Sequence, residues 1–315
     1  MKLLIAFDGS PCSEAALDDL TLAGLPDKGT AQVVTVAEVW LPPRELADQN
    51  DETEFIKEML ASHRQRAKNQ VKQAEILAKH AADRARRALP AWTVSSRASY
   101  STPAWEIIRV ADEIEADLIV VGSHGHGVFG PFALGNISQK VMTEAHCSVR
   151  IARGRVAVDS ELPRILIGYD AHPGANAAVD AVAERNWPSG TEVRLVVATD
   201  SELPKDIDRF VSLTNNRNGV EVSPECRWVL KNAKAACRRL QDQGLKASTT
   251  LVEGDPKQVL VTEAKNWHAD SIFLGATAKG FSLTRFLLGS TASAVAARAH
   301  SSVEIVRRRP TESEV

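Results

Sequence analysis

Two stretches of this chain, set 154 residues apart, carry nearly the same text. Residues 140–153 read KVMTEAHCSVRIAR and residues 294–307 read AVAARAHSSVEIVR, with seven of the fourteen positions identical. The likeness extends to the start of each half. AFDGSPCSEAAL, from Ala6, faces GYDAHPGANAAV, from Gly168, which makes Asp8 and Asp170 counterparts. DLIVVG from Asp117 faces DSIFLG from Asp270, and Thr102-Pro103 faces Asp255-Pro256. The offset moves only from 162 to 153 and 154, as small differences in loop length would produce. Ordered matches along both halves mean a tandem duplication, so any fold the chain takes it must take twice.

Each half spells the same order of elements. In the first, an apolar strand at 3–7 is followed by Ser10-Pro11, a hydroxyl cap with Pro at the first helical position. A Val-rich strand at 32–37 precedes a long helix at 55–89, whose apolar residues step by three, four and seven from Ile56 to Leu89. A third strand at 93–98, a helix opened by Thr102-Pro103, a fourth strand at 118–121, a helix from about Asn136 and a last strand at 148–152 complete the half. Strands alternating with helices predict an α/β fold with two tandem open parallel five-stranded sheets and flanking helices. The expected division is 1–153 and 164–307, with 154–163 a linker and 308–315 a frayed tail.

Composition narrows the function classes. Hydrophobic residues are 44% and charged residues 25%, the balance of an ordinary globular protein. No apolar run is long enough for a membrane span, and Asp8 interrupts the opening apolar stretch before a signal-peptide core forms, so the expected location is the cytoplasm. A formal net charge of −2, with neither part strongly basic (−3 up to Arg153 and +1 beyond it), and only 5% aromatic residues argue against a nucleic-acid surface. The basic run on the helix at 55–89 reads as a solvated face. Cys12, Cys147, Cys226 and Cys237 show no metal-ligand spacing.

In an open parallel sheet, ligands sit beyond the carboxyl ends of strands where strand order reverses. Asp8-Gly9-Ser10 follows the first strand, and Gly122–Ser138 (GSHGHGVFGPFALGNIS) follows the fourth. Five glycines between Gly122 and Gly135 let backbone approach a ligand closely, and the helix start behind them offers N–H groups to a phosphate. The GxGxxG at Gly125 follows the fourth strand rather than the first, which argues against dinucleotide binding. In the second half, Gly275 begins an imitation of a phosphate loop, but Phe281 stands where Lys is required.

The pattern that fits is Gly122-x2-Gly125-x9-Gly135 followed by a small polar residue, with Asp8 after strand one. Together with the duplicated element order, it resembles the universal stress protein family in its tandem two-domain form. The resemblance implies a Rossmann-like fold that binds ATP, with or without Mg2+, the glycines holding ribose and phosphates and the Asp lying by the adenine. Carried across, the first site is Asp8, Val36, Gly122, Gly125, Gly135, Asn136 and Ser138. Asn136 replaces the usual Ser or Thr and can still cap the helix with its side chain. A weaker second site is Asp170, Val196, Gly275, Gly289 and Ser290, where Ala278 stands in place of the second glycine. The resemblance also implies that the halves pair through their last strands, and homodimers are compatible with it.

The expectation is therefore a stress-response, ATP-binding regulatory protein whose first half is the competent binder. The loop holds no Lys, Arg or carboxylate placed to activate water, which points away from fast phosphoryl transfer. A nucleotide-free interaction scaffold, with the glycines serving only as turns, and a slow Mg-dependent ATPase are the alternatives. His124 and His126 read as exposed loop histidines.

Overall fold

The computed structural model describes residues 1–39, 54–125, 134–153, 162–199, 224–278 and 286–307. The middle of the glycine-rich loop with His126, most of the expected linker, the tail and Phe281 lie outside the described residues.

The first half runs β1 (Lys2–Ala6), α1 (Pro11–Asp18), β2 (Thr30–Ala37), α2 (Glu54–Ala88), β3 (Thr93–Tyr100), α3 (Pro103–Glu113), β4 (Leu118–Gly122), α4 (Asn136–Glu144) and β5 (Ser148–Ala152). The second runs β6 (Arg164–Gly168), α5 (Pro173–Ala183), β7 (Glu192–Thr199), α6 (Pro224–Asp242), β8 (Lys246–Glu253), α7 (Pro256–Asn266) and β9 (Ser271–Gly275). It continues through a small pair, β10 (Thr277–Ala278) and β11 (Phe286–Leu287), to α8 (Ser290–Arg298) and β12 (Ser302–Val306).

Local chemistry sets these boundaries. Ser10 caps α1, its side-chain oxygen accepting from the Ser13 amide, with Pro11 as first helical residue. The stripe of α2 is buried at Ala67, Ala74, Ala78, Ala81 and Ala85, while Lys68, Lys72 and Lys79 are exposed. Cys226 and Cys237 are buried on one helix, α6, as small core residues.

The strands form one ten-stranded sheet in the order β3-β2-β1-β4-β5-β12-β9-β6-β7-β8. Within each half every neighbouring pair is parallel, and the half-order 3-2-1-4-5 appears twice. The two halves join through an antiparallel pair, β5 with β12, in which Glu304 lies opposite Arg150. The last strands of the two halves, through which pairing was expected, thus lie at the centre of the sheet, and all ten of their residues are buried. One face carries a single apolar core made by α3, α4, α7 and α8 of both halves. On the other face each half keeps its own cluster, under α1 and α2 or under α5 and α6.

Candidate functional site

Strand order reverses between β1 and β4, and a cleft opens beyond their carboxyl ends. Its apolar side is Val34 and Val36 of β2, Val121 of β4, Ile107 of α3 and Ile137 of α4; its polar side is Asp8, Ser10, His124 and Ser138. The cleft has a cavity volume of about 100 Å³ and opens on one side to solvent.

Of the expected residues, Asp8, Val36, Gly122, Gly125 and Ser138 line this one cleft. Asp8 Oδ1 accepts from the Ser10 amide at 2.9 Å, which fixes the carboxylate over the turn made by Gly9 at φ +77°. Gly125 faces that carboxylate: a Cβ there would sit 2.9 Å from Asp8 Oδ2. Ser138 donates to the Gly122 carbonyl at 2.7 Å, tying α4 to the end of β4. Gly135 closes the loop, its amide donating to the Ser123 carbonyl at 2.8 Å.

Gly122 has a different reason to be glycine. Its Cβ would fall 2.7 Å from the backbone carbon of Cys12, so the start of α1 rests directly on the end of β4. Gly275 repeats this contact in the second half, where a Cβ would fall 2.0 Å from the Gly174 backbone.

Two expectations are corrected. Asn136 does not cap α4. The cap position is Gly135, no side chain bonds the first-turn amides there, and Asn136 is an exposed first helical residue away from the cleft lining. His124 is not an exposed loop residue: it is half-buried in the cleft wall, its Nδ1 3.0 Å from Ser123 Oγ. The apolar wall of Val34, Val121, Ile107 and Ile137 was not anticipated. The alternation along β2 and the apolar face of α3 are the signals that could have found it.

Among the described residues, the second half lines the equivalent place differently. Gly168 occupies the place of Ala6, and Leu274 Cδ2 would come within 2.5 Å of a Cβ there, with Leu260 Cδ1 at 3.1 Å. These leucines stand where the first half has Val121 and Ile107, and Leu274 takes the room of the Ala6 side chain. Asp170 is exposed and pairs locally, its Oδ2 3.4 Å from His172 Nδ1. Val196 pairs with Gly168 as Val34 pairs with Ala6, so the true counterpart of Val36 is Ala198. Gly289 caps α8 as Gly135 caps α4, with Ser290 as first helical residue. Just after β9, Thr277 pairs antiparallel with Leu287 and Ala278 with Phe286.

Among the described residues, no group of three metal-ligating side chains converges and no helix is long and apolar enough to cross a membrane.

The sequence profile of the universal stress protein family matches residues 1–153 and again 161–307. A universal stress protein of Mycobacterium tuberculosis is 26% identical over 218 residues, which cover 69% of this chain and 70% of that protein. One of Methanocaldococcus jannaschii is 28% identical over 155 residues, 48% of this chain and 81% of that protein. In fold, the chain is similar to a universal stress protein from Archaeoglobus fulgidus, with a TM-score of 0.61 at 17% identity over 98% of this chain and 96% of that one. A second similar structure, from Pseudomonas aeruginosa, gives 0.55 at 15% identity over 97% and 92%. With the profile matched twice in tandem on a duplicated fold, the chain belongs to the universal stress protein family.

Proposed function

We propose that the first-half cleft binds an adenine nucleotide, ATP in the first instance, and that the chain is a cytoplasmic stress-response regulator that reads nucleotide state. One observation carries this reading. The glycine that packing requires is present in both halves, as Gly122 and Gly275, whereas the glycine beside the strand-one Asp is present only in the first, where Gly125 faces Asp8 in an open cleft. Its counterpart is Ala278. A glycine kept at the cleft-facing position fits close approach of a ligand rather than packing.

The residues fit such a guest. The valine and isoleucine wall suits the faces of a purine. Asp8 can accept hydrogen bonds from a base or ribose but would repel phosphate, so phosphates belong at the other end of the cleft. There the amides of the first turn of α4 carry no side-chain cap and the helix dipole favours an anion. Any Mg2+ would arrive on the phosphates, with Asp8 the one carboxylate among the described residues that line the cleft. The second half acts as a structural partner.

Native mass spectrometry of the freshly purified protein, with chromatography of what heat releases, tests the reading. One adenine nucleotide per chain is expected, and Gly125→Val should weaken ATP binding at least tenfold while the circular dichroism spectrum stays unchanged. Among the described residues, a Cβ there meets the movable end of Asp8 rather than backbone, so the variant is expected to fold. An empty wild-type protein that also ignores added ATP would leave an interaction scaffold.

A further inference from the structure

The repeat offset of 154 makes Arg150 and Glu304 equivalent residues, yet they lie directly opposite each other where the halves join. The pseudo-two-fold axis relating the halves therefore passes between them. When an edge pairs with its own copy, the residue on such an axis must face itself. Here it faces a residue of opposite charge.

Both side chains are completely buried. Arg150 donates to Asp19 Oδ2 at 2.5 Å within its own half, and across the junction to Ser271 Oγ at 2.8 Å and towards Glu304 Oε2 at 3.5 Å. Glu304 is held by Arg185, whose Nη1 lies 2.9 Å from Oε2 and which also donates to the Ala23 carbonyl across the junction at 2.8 Å. Asp19 accepts from Ser302 Oγ, again across the junction, at 2.6 Å. Two cations and two anions balance in a site closed to water. A second observation shows the same one-sidedness in shape: the Trp187 ring lies on Gly24, where a Cβ would sit 2.5 Å from it.

We infer that the two central edges are coded for each other: β5 takes β12 as its partner and refuses the β5 of a second copy. First-with-first pairing would bring two buried guanidinium groups face to face and put Leu118, the counterpart of Ser271, where Arg150 needs an acceptor. Second-with-second pairing would oppose two buried carboxylates. Each ion would keep its own counter-charge, Asp19 or Arg185, but the contact on the axis would be repulsive, and like-charge contacts that cannot be hydrated reject a partner strongly. The duplicated halves thus recognise each other rather than themselves.

Two full-length variants test the code. Glu304→Arg sets three cations against Asp19, and Arg150→Glu sets three anions against Arg185. Each alone should remain a single-chain species in native mass spectrometry, with the amides of β5 and β12 exchanging hydrogen at least tenfold faster than in the wild type. Mixed together, they should give a two-chain species, because the unaltered first half of one meets the unaltered second half of the other. Wild-type protection in either variant, a two-chain species in either alone, or none in the mixture would overturn the proposal. If neither is soluble alone, co-expression in one cell is the same test: a soluble two-chain species supports the code and its absence overturns it.

Discussion

Ala171 is the clearest residue-scale cost of the second half's divergence. It holds φ +64° where its counterpart Gly9 holds +77°, and a side chain in that region is disfavoured by roughly 1–2 kcal/mol. Ala171→Gly is therefore expected to stabilise the protein by about 1 kcal/mol, less the entropy that glycine adds to the unfolded chain, read as a higher urea midpoint at unchanged slope. This position was legible as sequence, since Asp-Gly after one strand faces Asp-Ala after the other. The role of Gly122 was not. Its neighbour is the backbone of Cys12, 110 residues away, and no spacing rule reveals that contact.

At the scale of elements, α3 shapes one side of the cleft and is held by its own charges. Arg109 donates to both carboxylate oxygens of Glu106, at 2.8 and 2.7 Å, and to Glu113 one turn on. The Arg109 hydrogen bonds, more than the opposing burial, hold the Glu106 carboxyl below the usual carboxylate range. A depressed carboxylate leaves the folded state with fewer bound protons than the unfolded chain in mild acid. Its stabilisation is thus present above about pH 4.5 and lost as pH falls through the folded value. Glu106→Gln should lower the melting temperature at pH 7 and flatten the acid-side fall, so that variant and wild type converge as pH drops through the folded value. In the second half, Leu274→Ala removes a buried side chain packed against Gly168 and should cost about 2–5 kcal/mol by the cavity it leaves, measured by chemical denaturation. Helix and strand order were readable because periodicity and Pro-marked helix starts are local signals. The packing of Leu274 against Gly168 was not, because Val against Leu looks conservative until its direction is known.

For the whole molecule, the duplication was visible in the sequence and the pairing of the halves followed from family resemblance. The charge pattern across the junction became meaningful only with the register, which no single-chain periodicity supplies. The halves share an apolar core on one face and a strand pair through the middle of the sheet. They also clasp each other reciprocally. Arg153 donates to the Ala296 carbonyl at the end of α8, and Arg307 to the Cys147 carbonyl just beyond α4 at 3.2 Å. Each guanidinium is held by carbonyl oxygens, and burial pushes both down to about 10. Unfolding is accordingly expected as one transition, with calorimetric and van't Hoff enthalpies in agreement; two separable transitions would show that the halves are independent.

The antiparallel central pair has a directional consequence. Because β5 and β12 run opposite ways, the first five strands finish at one rim of the sheet and the last five finish at the other. The open cleft and the equivalent place in the second half therefore look towards opposite poles of the molecule. Two equal ancestors have become a body with a front and a back. A partner that senses what occupies the cleft must come to the front, and one that docks on the back meets the same surface whether the cleft is loaded or empty.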